Sequence, residues 1–142
     1  MWADTLFRAE QQHAIGLLVW SAASILAGTA LLVIIAAKRS ASPLLRHFAL
    51  QMIGWGATVA LIGAIAWRSA AIRDLAGATR LERTMLLALG IEIGLIAVGV
   101  TLAASTWLAA RRLGGVGAGI GIAVQGLALL VLDLRLVSLL AR

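Results

Sequence analysis

The sequence predicts an all-α protein, a bundle of four transmembrane helices, and three observations carry that prediction. Of its 142 residues 62% are hydrophobic and only 13% charged, an apolar share well above that of soluble domains, which a water-soluble fold of this length could not hide. Four apolar stretches, about Ala14 to Ala37, Phe48 to Trp67, Met85 to Ala110 and Val116 to Leu140, each reach the roughly 20 residues that carry a helix across a ~30 Å hydrocarbon layer. Backbone groups in lipid must be satisfied internally, and no alternating pattern suggests a barrel, which leaves helices as the spans. The reading is one integral membrane domain over residues 1–142, with helices at about 10–38, 44–68, 81–111 and 116–141.

Each element has its own signals. The opening "MWADTLFRAEQQ" carries acids, lacks a cationic start and leads into an apolar run too long for a signal peptide, so the first helix is expected to remain. Lys38 and Arg39 close it, and Pro43 in "KRSASPLLRH" suits the first turn of the second helix across a tight hairpin. The segment "RSAAIRDLAGATRLER" sets Arg68, Arg73, Arg80 and Arg83 against Asp74 and Glu82; it reads as a longer connection with an amphipathic turn at the interface. The last connection, "RRLGGVGAG", reads as a flexible turn, because its glycines follow no strand and lack phosphate-cradle spacing. Both chain ends and the segment after the second helix fall on one face, here the terminus side; the two hairpin turns fall on the far side. Aligning "RAEQQHAIGL" with "RLERTMLLAL", and "ALQMIG" with "AVQGLA", makes two duplicated helical hairpins a candidate origin.

Charge and composition bound the function. The net charge of +6 sits at helix ends, where it flanks spans and meets lipid phosphates, so the bilayer is the expected partner and nucleic acid is not. Counting Lys and Arg favours cytoplasmic termini, whereas Lys38 and Arg39 after the first helix against Arg8 before it argue the reverse. Trp2, Trp67 and Trp107 fall near span ends and read as interfacial anchors. The absence of Cys removes thiol catalysis, thiolate metal sites and disulfides. "EQQH" offers a Glu-x-x-His pair at Glu10 and His13, but Met85 stands at the parallel position after Glu82, so a di-iron set lacks half its ligands. His13 and His47 lie near opposite faces and cannot clamp one haem, and no Ser-His-Asp set is suggested. No cofactor, metal or enzymatic activity is expected.

The polar residues inside the spans are the candidate site. Glu92 lies seven residues past Met85, and Asp133 seven before Leu140, so helical rise puts both roughly 10 Å below the terminus side. Intramembrane acids face the bundle interior and have partners, and two brought close share a proton. Glu10, His13, Glu82, Arg83 and Arg135 gather on the same side as candidate members of that cluster. Arg135 is about 200° around its helix from Asp133, so it snorkels or meets an acid of another helix. Gln51 and Gln125 share a deeper level, as an inter-helix hydrogen-bonding pair. Gly90 with Gly94, Gly117 with Gly121, and Gly126 read as close-packing positions, and Trp20 and Trp55 as core.

"LERTMLLALGIEIG" opening the third helix, "GAGIGIAVQGLALLVLDL" in the fourth and "EQQHAIGLLVW" in the first resemble a family of small bacterial four-helix membrane proteins of unassigned activity. Family members carry an amide-rich end to the first helix, which this chain lacks. The resemblance implies a four-helix fold and polar roles for Glu10, Glu82, Gln125 and Asp133, and transfers no reaction. The leading functional expectation is a non-enzymatic structural or accessory subunit of a bacterial inner membrane, packing with itself or another membrane protein. The alternative is a small proton- or cation-linked transporter using Glu92 and Asp133.

Overall fold

The computed structural model describes residues 2–140, all but a few of them in four helices: α1 (Trp2–Ala37), α2 (Pro43–Ser69), α3 (Leu75–Ala110) and α4 (Leu113–Leu140). All four are long and apolar enough to cross a membrane. The side chain of Trp2, with the anchoring expected of it, lies outside what is described.

Local chemistry sets the helix ends. Ser42 caps α2 by accepting from the Leu45 N–H, with Pro43 in the first turn, and Asp74 caps α3 by accepting from the Gly77 N–H at 2.8 Å. Such caps satisfy amide groups that have no partner inside the helix. Both far-side turns run through an arginine in the left-handed conformation, Arg39 at φ 47° and Arg111 at φ 48°, and the Arg111 guanidinium lies 5.4 Å from the ring centre of Trp107. The amphipathic connection expected after α2 is mostly helical instead. Asp74 starts α3 six residues earlier than the sequence suggested, and the "RRLGGVGAG" turn shrinks to Arg111 and Arg112, its glycines entering α4. Likewise α1 begins at Trp2 rather than near residue 10.

At 36 residues each, α1 and α3 measure about 54 Å, against about 40 Å for α2 and α4. The surplus falls on the terminus side, because the far-side ends are tied by short turns. These extra turns hold Asp4, Arg8 and Glu10 in α1, and Arg80, Glu82 and Arg83 in α3, so these charged residues stand beyond the length that α2 and α4 share.

The helices pack in the order α1, α2, α4, α3, with α1 also touching α4 over a shorter stretch; α3 rests on α4 alone. Glycine makes α4 the wedge. Toward α2, a Cβ on Gly117 would strike the Leu44 carbonyl oxygen, and one on Gly121 would lie 2.6 Å from the Gln51 Cβ. Toward α3, a Cβ on Gly119 would lie 2.6 Å from the Ala103 nitrogen, and one on Gly126 3.0 Å from the Glu92 carbonyl oxygen. Without a hydrophobic drive between helices in lipid, such backbone approach and its dispersion contacts supply the association. Leu17, Val59 and Leu129 form the shared apolar centre, with Trp20, Ala66 and Leu132 against it. The outer faces carry bare Leu, Ile and Val, Leu87, Ile91 and Leu108 among them, as a lipid-facing surface does.

Candidate functional site: a buried polar chain

Five side chains from three helices and one connection meet on the terminus side. Glu10 and His13 stand three residues apart on α1, hence on one face. The Arg73 guanidinium, from the segment between α2 and α3, donates to both Glu10 oxygens, Nε to Oε1 at 2.6 Å and Nη2 to Oε2 at 2.9 Å. That fork is the strongest ion-pair geometry side chains offer, and through these hydrogen bonds Glu10 raises the Arg73 pKa further above its ordinary value, against the lowering effect of burial. One turn on, His13 Nε2 lies 3.3 Å from Asp133 Oδ1 on α4. The Asp133 carboxyl in turn meets that of Glu92 on α3, side chain to side chain. Glu10, Glu92 and Asp133 are all buried. Among the described residues, His13 Nδ1 and Glu92 Oε2 are buried with no partner.

These contacts tie α1, α4, α3 and the α2–α3 connection to one another. Among the described residues no three His, Asp or Glu side chains converge on a metal-holding position; the Glu10 carboxylate is engaged by Arg73.

A second polar knot lies deeper. Gln125 on α4 is fully buried; its Oε1 accepts from Trp20 Nε1 at 2.8 Å, and its Nε2 donates to Ser24 Oγ at 3.1 Å and, weakly, to Met52 Sδ at 3.4 Å. One amide thereby joins α4 to α1 and α2.

Residues 16–134 match the model of a family of unknown function, DUF6992. The chain belongs to that family. No curated protein and no solved structure matches it. The part matched to DUF6992 holds Arg73, Glu92, Gln125 and Asp133, whereas Glu10 and His13 precede it.

Several residues singled out in the sequence stand elsewhere. Glu82 is half-buried, and Arg83 and Arg135 are exposed; none of the three makes an ion pair among the described residues: the early turns of α3 stand clear of α1, and Arg135 borders the crevice between α1 and α4. Gln51 makes no side-chain hydrogen bond among the described residues; it lines a shallow surface groove with Gly54, Trp55 and Thr58, so it does not pair with Gln125 although it shares the level. Trp55 is accordingly half-exposed to that groove rather than core, and Trp20 is a hydrogen-bond donor as well as core. Gly90 and Gly94 face open space, so within the chain they pack against nothing, whereas Gly117, Gly121 and Gly126 are in contact. Sequence reading missed Arg73 as the partner of Glu10, and Gly99, whose Cβ would lie 2.6 Å from the Gly119 carbonyl oxygen.

Proposed function

We propose that this chain is a non-enzymatic, multi-pass subunit of a bacterial cytoplasmic membrane that packs with copies of itself or with another membrane protein. The observation that carries the reading is the Gln125 knot. A carrier needs a polar path between faces, yet below the acid cluster stands a fully buried amide whose bonds are taken up by Trp20, Ser24 and Met52. Buried polar groups that are paired across helices fix a single arrangement of the bundle. The partner surface in this reading is α3, held by α4 alone, with open space at Gly90 and Gly94 where another helix can approach closely.

Extraction of native assemblies in a membrane-solubilising polymer tests it. The expected result is an assembly larger than one chain that is lost on Gly94→Leu, with the single chain still folded. A solitary chain would contradict the reading.

The second reading, a proton- or cation-linked carrier, is favoured by the two unpartnered buried atoms, His13 Nδ1 and Glu92 Oε2. Proton flux into liposomes that disappears on Glu92→Gln would establish it in place of the first.

A further inference from the structure

Between α1 and α4, the two helices that touch over only a short stretch, runs a crevice in two connected parts. The deeper part, about 540 Å³, is walled by Val19, Trp20, Ala23, Leu127, Ala128 and Val131, among others, and is almost wholly apolar. The shallower part, about 160 Å³, is lined by Gln12, His13, Leu136 and Leu139 among others. Gly16, Leu132 and Arg135 line both, so the arginine stands where the apolar trough opens into the polar mouth.

Three features identify the occupant. From Arg135 back to Val124 at the deep end the helical rise is about 16 Å, half of the ~30 Å hydrocarbon thickness and therefore one leaflet. The mouth faces the terminus side and holds a guanidinium without an ion-pair partner among the described residues, which complements a negative charge at the head-group level. At the same mouth Gln12 and His13 add polar side chains beside the cation. An apolar trough of one leaflet's length ending in a cation and polar side chains has the polarity of one lipid molecule.

We propose that the α1/α4 crevice binds an anionic phospholipid of the terminus-side leaflet, with its phosphate at Arg135, its head group reaching Gln12 and His13, and one acyl chain along Val19, Ala23, Leu127 and Val131. The site is independent of what packs on α3, which lies on the other side of α4.

Native mass spectrometry of the detergent-purified full chain, titrated with phosphatidylglycerol or with phosphatidylcholine of the same chains, tests the proposal. The expected result is a preference of about fivefold for phosphatidylglycerol, the equivalent of one basic side chain at an anionic head group. Arg135→Gln, at an exposed position, should bring the two lipids to parity, Arg112→Gln at the far side should leave the preference intact, and Ala128→Phe should weaken both lipids alike. Equal retention of the two lipids by the wild type, or an unchanged preference in Arg135→Gln, overturns the proposal. Displacement of phosphatidylglycerol by inorganic phosphate alone would reduce the site to an anion site and overturn the acyl-chain assignment. A lipid-free dimer dissociated by Ala128→Phe would give the crevice to a second copy instead.

Discussion

Replacing Gln125 with Met keeps length and volume while deleting the amide, and its cost follows from the bonds lost. Three are severed: the 2.8 Å bond from Trp20, the 3.1 Å bond to Ser24 and the weak 3.4 Å contact with Met52. Inter-helix hydrogen bonds in membrane proteins average about 0.6 kcal/mol each. Leaving the Trp20 N–H without an acceptor in an apolar interior costs more, about 1–3 kcal/mol. Together these predict a loss of about 2–4 kcal/mol for Gln125→Met. Reversible unfolding by denaturing detergent in mixed micelles, followed by circular dichroism, measures it. The same change at Gln51, which makes no side-chain hydrogen bond among the described residues and borders a surface groove, should cost less than about 0.5 kcal/mol, as surface substitutions do. Because Trp20→Phe removes the orphaned donor, the double variant should be more stable than the two single losses imply, by about 1 kcal/mol. Equal effects at Gln125 and Gln51, or additivity of Trp20→Phe with Gln125→Met, would refute the reasoning.

Other perturbations separate the remaining contacts. Arg73→Ala strips a forked partner from buried Glu10, and should destabilise the chain by about 2 kcal/mol, less than a fully buried pair because the arginine is partly exposed; Arg73→Lys should recover only part of this, as read by thermal unfolding. Gly117→Val drives side-chain atoms into the Leu44 carbonyl, and should separate α2 from α4 and lower the unfolding midpoint, while Gly90→Val, facing open space, should leave the isolated chain unchanged. Asp133→Leu removes the acid between His13 and Glu92, and should cost more stability than the double change with His13→Leu, since the imidazole is otherwise left buried without a counter-group; a double-mutant cycle in the same unfolding assay checks the order.

Depth was legible in the sequence, and rotation was not. Counting residues from helix ends puts Glu92 and Asp133 at one level, and a charge in an apolar span turns inward at several kcal/mol, so the two meet. The same count ranks Gln51 with Gln125, yet an amide is tolerated at a groove as well as in a core. Which of the two turns inward depends on how α2 and α4 are rotated, and that is fixed by glycine contacts such as Gly117 on Leu44 and Gly121 on Gln51. Spacing alone likewise does not tell Gly90 and Gly94, which face nothing, from Gly99, which meets Gly119. Arg73 was hidden for another reason: it lies in the irregular segment between Ser69 and Leu75, where no periodicity says which helix the chain passes. The early start of α3 was readable in part, since Asp74 three residues before Gly77 is a capping signal that the charged stretch around it obscured.

The central claim is that Glu92 of α3 and Asp133 of α4 meet inside a single chain. The natural absence of Cys makes its most direct test clean: Glu92→Cys combined with Asp133→Cys, treated in native membranes with a short bifunctional thiol reagent, beside Glu92→Cys combined with Gln51→Cys. The account predicts an efficient cross-link within one chain for the first pair and none for the second. Failure of the first pair to react, or its reaction only between separate chains, would contradict it.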